Sequence, residues 1–160
     1  MKTGFFKTGS VTFLCALLPT FALAGDTRVD LSTRRAIYVT SSKTAIDLKN
    51  DKYVAANGTI TVNRRQAESC QGNKCTFNLG IIAIKSGGSS TLSTYGQYTG
   101  QMGMVGNTIF FADNETTKQQ VLPVSLAIGK NVLTFKIDPQ NKIAETNETN
   151  NNFSVTIVVE

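Results

Sequence analysis

The sequence contains no histidine and no tryptophan, and only 17% of its 160 residues are charged. Histidine is the commonest general base in enzymes and the commonest side-chain ligand of transition metals. Its absence argues against hydrolases that depend on a Ser–His pair or a histidine-bound zinc. The sequence also has no G-x-S-x-G or H-E-x-x-H pattern. We therefore predict a protein that is not an enzyme and has no cofactor.

A dense cluster of basic residues is also missing. Lysine and arginine outnumber the acidic residues by 16 to 11, but they are dispersed along the chain. The only basic doublets are Arg34-Arg35 and Arg64-Arg65. Surfaces that bind nucleic acids usually carry a continuous basic stripe with aromatic residues, so the sequence predicts no nucleic-acid partner.

Residues 1–24 have the pattern of a secretory signal peptide. Lys2 and Lys7 precede an apolar run at residues 11–18, and Ala22-Leu23-Ala24 fits the small-x-small cleavage rule. The apolar run is shorter than the roughly 20 residues needed to span a bilayer. The mature protein is therefore expected in the periplasm or outside the cell, with no segment inserted in the membrane.

Cysteine is scarce, and its placement predicts one disulfide. Of the three cysteines, Cys15 lies in the predicted signal peptide, which leaves Cys70 and Cys75. An even number of cysteines in an exported protein indicates a disulfide. The intervening residues 71–74 include glycine and asparagine, which favour turns, so the pair is predicted to close a hairpin tip. The spacing is not that of a C-x-x-C redox motif, and no further cysteine or histidine completes a metal site.

The chain lacks any long stretch of helical periodicity, and short β-rich runs alternate with turn residues. This pattern predicts an all-β sandwich or barrel. The polar residues 25–35 are predicted to be a flexible N-terminal segment. The predicted strands cover residues 36–40, 44–48, 59–63, 76–85, 108–112, 120–128, 132–138 and 153–159.

The segment at residues 86–106 is rich in glycine, serine and threonine. Tyrosine in such a context is typical of binding loops, because it offers a large contact area at low entropic cost. The candidate ligand-contacting residues are Tyr95, Tyr98, Met102 and Met104. The alternative is an irregular strand pair whose tyrosines and methionines pack on the edge of the sandwich.

The polar residues 138–151, which link the last two predicted strands, carry the most specific motif. They resemble the CARDB family, the cell adhesion related domain found in bacteria, whose pattern is D-x-x-N-x-I-x-E-x-N-E-x-N-N followed by a strand. The matching residues are Asp138, Asn141, Ile143, Glu145, Asn147, Glu148, Asn150 and Asn151.

The resemblance implies an immunoglobulin- or fibronectin-III-like β-sandwich of about seven strands, spanning residues 36–160 outside the cytoplasm. It also implies a binding or adhesion module that contacts a protein or glycan at the cell surface. One alternative is a structural or accessory subunit of a surface assembly, joined by strand addition through residues 153–159. Another is an inhibitor of an extracytoplasmic enzyme that presents the Cys70–Cys75 hairpin.

The same turn contains carboxylates with the chemistry that calcium prefers. Asp138, Glu145 and Glu148 are the candidate calcium ligands. Hydrogen bonds that shape the turn explain these residues equally well without an ion.

Overall fold

The structure, a computed structural model, describes residues 29–160. The predicted signal peptide and the first residues of the predicted flexible segment lie outside this range. Within it the chain forms eleven β-strands and one turn of 3-10 helix at Arg64–Gln66. The strands are β1 (Asp30–Thr33), β2 (Ala36–Thr40), β3 (Lys52–Ala55), β4 (Thr59–Val62), β5 (Ser69–Gln71), β6 (Lys74–Ser86), β7 (Leu92–Gly100), β8 (Gly103–Phe111), β9 (Thr117–Ala127), β10 (Gly129–Ile137) and β11 (Asn152–Val159).

The strands form two sheets. In the six-stranded sheet, the long strand β6 pairs with β9 on one side and with β5, β2 and β1 on the other, and β3 extends β2. The five-stranded sheet has the order β4-β11-β10-β7-β8. β4 runs parallel to β11, whereas the other strand pairs of this sheet are antiparallel.

The hydrophobic core lies between the two sheets. Alternate residues of β10 (Leu133, Phe135 and Ile137) are buried, and they face the buried residues Phe77 and Leu79 of β6 in the same core. β11 contributes every second residue from Phe153 to Val159. This two-residue period is expected of strands with one buried face. The predicted all-β, immunoglobulin-like sandwich is confirmed, although it has more strands than the seven expected.

Most predicted strands match observed ones, but residues 44–48 form no strand. The Asp47 carboxylate accepts hydrogen bonds from the backbone N–H groups of Lys49 and Asn50, which bends the chain into a turn. Ile46 packs against the side of the six-stranded sheet that faces away from the main core. There a Cβ on Gly80 would lie 2.6 Å from Ile46 Cγ1. This loop covers a second, smaller apolar cluster instead of adding a strand.

The N-terminal segment also differs from the prediction. Residues 30–33, expected to be flexible, form β1 and pair antiparallel with the end of β6. Leu31 is fully buried in the main core. A single buried leucine in a four-residue polar strand leaves little periodicity to detect, so the prediction was wrong here.

Residues 86–106 are mainly a regular β-hairpin and not a long loop. β7 and β8 pair along their whole length, from Leu92 opposite Phe111 to Gly100 opposite Gly103. Gly103 has a φ of 111°, which the tight turn after Met102 requires. The irregular part shrinks to residues 87–91.

The predicted disulfide is confirmed. Cys70 and Cys75 lie directly opposite each other on β5 and β6, and Gly72 in the intervening turn has a φ of 57°. Cys75 is fully buried in the core, whereas Cys70 is exposed.

Reduction of this disulfide is expected to lower the free energy of unfolding by about 2 kcal/mol, because the short closed loop restricts the unfolded chain only modestly. Urea unfolding with and without reductant measures the difference. A Cys70→Ser/Cys75→Ala variant should show no effect of reductant. A wild-type protein that unfolds completely on reduction would contradict this limited role.

Candidate functional site

The outer face of the five-stranded sheet exposes four large apolar side chains. Exposed fractions are 42% for Tyr95, 68% for Met104, 51% for Phe110 and 47% for Val132. Each lies on the solvent side of its strand, where the alternation of the pleat places every second residue. We call this surface, including its Lys130 and Lys136, the outer face.

Hydroxyl groups fill the space between these apolar residues. Thr99 of β7 is paired with Thr134 of β10, which is paired in turn with Ser154 of β11. The hydroxyls of Thr134 and Ser154 lie 2.8 Å apart and share a hydrogen bond. None of the five strands contains aspartate or glutamate. The outer face is therefore a flat, hydroxyl-rich surface that is free of acidic side chains on its strands.

The Tyr95 ring lies over Gly106 on this surface. A Cβ on Gly106 would lie 2.5 Å from Tyr95 Cε1 and 2.9 Å from Cζ, so no other residue fits there without displacing the ring. The ring leans diagonally across from β7 to β8, as aromatic side chains often do over a glycine on a neighbouring strand. One side of the ring thus rests on the sheet while the other faces solvent.

A cleft of about 320 Å³ lies beside Tyr95, between the sheet and the turn that follows β10. Tyr95 and Thr108 form one wall, and Pro139, Lys142 and Ile143 form the other. Thr94 also lines the cleft, and its buried hydroxyl oxygen has no hydrogen-bond partner within residues 29–160.

The four predicted ligand-contacting residues do not form one site. Tyr98 points into the core with 1% exposure, its ring packs edge-on to Phe135 at 5.0 Å, and its hydroxyl donates to Leu79 O. Burial raises the pKa of the Tyr98 phenol well above its usual value. Residues 94, 96 and 98 face inward and residues 93, 95, 97 and 99 face outward, so Tyr98 adds little exposed surface, although it lines the same cleft as Met102 and Met104. Its role as a ligand contact stays a prediction.

Met102 and Met104 lie at the tip of the β7–β8 hairpin, at the opposite end of β7 from the cleft. They line a second cleft of about 220 Å³ with Tyr98 of β7 and with Pro123 and Ser125 of β9. Tyr95 is therefore the only one of the four predicted residues that lines the larger cleft.

The start of the polar turn is organised around Asp138. This residue is buried and has a φ of 47°, and its carboxylate accepts a 2.8 Å hydrogen bond from Ile143 N. Its own N–H donates to Tyr95 O, which attaches the turn to β7. Asp138 thus positions the turn that forms one wall of the cleft.

Glu145 organises the second half of the turn. Its carboxylate accepts hydrogen bonds from Leu31 N at 2.6 Å and from Asn151 Nδ2 at 2.9 Å. Asn150 adds a further link, because its Nδ2 donates to the carboxylate of Asp30. Burial raises the pKa of Glu145, although the bond from Leu31 opposes this shift. The motif residues therefore join the turn to strand β1.

The same contacts bear on the calcium prediction. Among residues 29–160 no group of three or more histidine, cysteine, aspartate or glutamate side chains is arranged to hold a metal ion. The carboxylates of Asp138 and Glu145 accept backbone N–H groups, and Glu148 accepts Glu145 N. These hydrogen bonds account for the candidate ligands as turn-forming residues, and the calcium site stays a prediction.

This network of turn-forming side chains coincides with a known family pattern. Residues 110–155 match the CARDB family model. The resemblance predicted from the turn motif is thus confirmed, and CARDB is an adhesion-related type of domain. The match takes in β9, β10, the turn and half of β11, whereas Tyr95 on β7 lies outside it.

Solved CARDB structures are also similar to this chain. The CARDB domain of the PF1109 protein from Pyrococcus furiosus, in complex with di-metal ions, is 17% identical, with a TM-score of 0.44 over 84% of this chain and 97% of that one. Its solution structure gives 18% identity and the same TM-score over 83% and 98%. The N-terminal domain of PorA is 9% identical, with a TM-score of 0.34 over 83% and 98%. No curated protein matches the sequence significantly.

Proposed function

We propose that this protein is an exported, non-catalytic binding or adhesion module that contacts a protein or glycan at or beyond the cell envelope. The contact surface is the outer face of the five-stranded sheet. The observation that carries this proposal is the group of exposed apolar residues on strands without acidic residues. Such patches on soluble proteins commonly mark interaction sites.

A role without catalysis is supported by the hydrogen bonds of Glu145 and Glu148. Glu145 and Glu148 have the spacing of a potential carboxylate pair, but Glu145 accepts Leu31 N of β1 and Glu148 accepts Glu145 N of the turn. They hold the β1 strand and the turn together, which accounts for both residues without a reaction.

Export is supported by the disulfide, since such bonds persist in oxidising compartments and are rare in the cytosol. The signal-peptide pattern at residues 1–24 points the same way. In the part of the chain that the structure describes, no helix is long and apolar enough to cross a membrane. The disulfide and the signal-peptide pattern together support a location in the periplasm or outside the cell.

The alternative of strand addition through residues 153–159 loses its structural basis. β11 is paired on both sides, with β10 and with β4, so it has no free edge to offer a partner strand. The inhibitor alternative rests on the exposed tip at residues 71–74 and stays a prediction.

A charge placed on the outer face tests the proposal. Val132→Glu, in the interior strand β10, is expected to reduce retention of the purified protein on native cell envelopes by about tenfold, or about 1.4 kcal/mol. The introduced glutamate would bury an unpaired charge where the partner contacts the outer face. Leu48→Glu is the matched control, because Leu48 is similarly exposed in the loop that covers the opposite sheet. Equal retention of both variants and the wild type would exclude the outer face as the contact surface.

A further inference from the structure

The part of the outer face around Tyr95 has the composition of a sugar-binding platform. The ring is seated on Gly106 and keeps one face open to solvent. An aromatic face carries partial negative charge and attracts weakly positive C–H groups, which line the faces of pyranose rings. Packing over Gly106 also holds the ring in place before a ligand binds, so little side-chain entropy is lost on binding.

The cleft beside the ring supplies polar groups at its margin. Ser93 and Thr108 contribute hydroxyls from the sheet, and Gln140 and Lys142 contribute an amide and an ammonium group from the turn. Its volume of about 320 Å³ lies at the lower end of the range of small-ligand sites, roughly 300–1,000 Å³. An apolar wall with a few convergent polar groups is the usual construction of such a site.

The exposed charged side chains named around the ring, Lys136 and Lys142, are both positive. Lys136 stands in the same row as Gln97 and Gly106, about 10 Å from Gly106 at a strand spacing of about 4.8 Å. Lys142 lines the cleft itself. Neither lysine forms an ion pair with a carboxylate of residues 29–160. Asp138, the acidic residue of the cleft wall, is buried and accepts a hydrogen bond from Ile143 N.

We infer that the ligand of this face is a polysaccharide that carries carboxylate groups. This inference rests on the proposed function and names its ligand class. One sugar ring stacks on Tyr95, and the carboxylates of that unit and its neighbours lie near Lys142 and Lys136. The hydroxyls of Thr99, Thr134 and Thr108 suit hydrogen bonds along the chain. A protein partner fits less well, because hydroxyl groups interrupt the apolar patch.

Affinity electrophoresis in gels that contain polygalacturonate or, for comparison, neutral dextran tests the inference with the mature protein. We expect retardation by polygalacturonate that weakens as salt is added, since screening acts on exposed charges, and little retardation by dextran. Tyr95→Ala should weaken binding to polygalacturonate at least about tenfold, an effect the size of a lost stacked ring. Tyr53→Ala removes an exposed tyrosine of the other sheet and should bind as the wild type does.

A double Lys136→Gln/Lys142→Gln variant separates charge from stacking and should lose most of the salt-dependent retardation. Equal retardation by dextran and polygalacturonate would overturn recognition of carboxylates. Equal effects of the Tyr95 and Tyr53 variants would overturn the stacking platform. If no polysaccharide retards the protein while Val132→Glu still reduces envelope retention by about tenfold, the glycan inference fails and the proposed function stands.

Discussion

Tyr98→Ala is expected to lower the free energy of unfolding by about 3–5 kcal/mol, the cost of removing a large buried aromatic side chain. Tyr98 is among the largest fully buried side chains, and its ring packs against Phe135, which in turn contacts Phe153. Truncation would leave a cavity between the sheets that a close-packed interior cannot fill without distortion. Urea unfolding followed by circular dichroism measures the change.

Tyr95→Ala, three residues earlier on the same strand, is the matched comparison. Its ring lies on the surface, so the expected loss of stability is below about 1 kcal/mol, as for most surface substitutions. Tyr98→Phe isolates the hydroxyl, which donates to Leu79 O, and should cost about 0.5–1.5 kcal/mol. If Tyr98→Ala kept near wild-type stability, the side chain would not be part of the core.

The contrast between these two tyrosines shows what the sequence could and could not reveal. Both were predicted as ligand contacts because the surrounding composition resembles that of binding loops. Strand alternation separates them, but the sequence suggests a strand pair here only as the alternative to a binding loop, and then an irregular one. Had the segment been read with a period of two, Tyr95 and Tyr98 would have fallen on opposite faces.

β7 was hidden by glycines that serve as small core residues. A Cβ on Gly96 would lie 2.5 Å from Gln120 Oε1 and 3.1 Å from Phe135 Cζ, and one on Gly100 would lie 2.5 Å from Leu133 Cδ2. These glycines make room for large side chains of the neighbouring strands. A single sequence shows only that glycines recur in this segment, and such a composition favours a loop. It does not show which side chains of other strands fill the space beside each glycine.

The strands with large alternating apolar residues, by contrast, could be predicted well. In β10 and β11 the buried positions alternate with outward ones over the full strand, and the polar turn between them matched a family pattern. The pattern identified the turn residues but not their partners. The contacts of Glu145 with Leu31 and of Asn150 with Asp30 join residues more than 100 positions apart, which no local signal encodes.

Glu145→Ala is expected to lower the free energy of unfolding by about 2–4 kcal/mol. The substitution leaves the buried Leu31 N–H without its acceptor, and an unsatisfied buried group costs about 1–3 kcal/mol. It also removes the 2.9 Å hydrogen bond from Asn151, whose amide keeps only its 3.4 Å bond to Glu148. β1 should detach first, because Glu145 holds it at its centre. Hydrogen exchange of the β1 amides, compared with those of β10, distinguishes local detachment from global loss of stability. Unchanged protection of β1 would contradict this role.

Glu145→Gln should lower the free energy of unfolding much less than Glu145→Ala does. Its side-chain oxygen can still accept Leu31 N, and its NH₂ group can donate to Asn151 if that amide turns over, since Asn151 Oδ1 is buried without a partner within residues 29–160. Because burial raises the pKa of Glu145 above the ordinary value of 4.5, the carboxyl favours the folded state most when protonated. That contribution is present below about pH 4.5 and is lost as the pH rises through the raised pKa. The stability of the glutamine variant relative to the wild type should therefore increase from pH 4 to pH 7. Identical pH profiles of the two proteins would contradict this, because they would show that Glu145 titrates as it does in the unfolded chain.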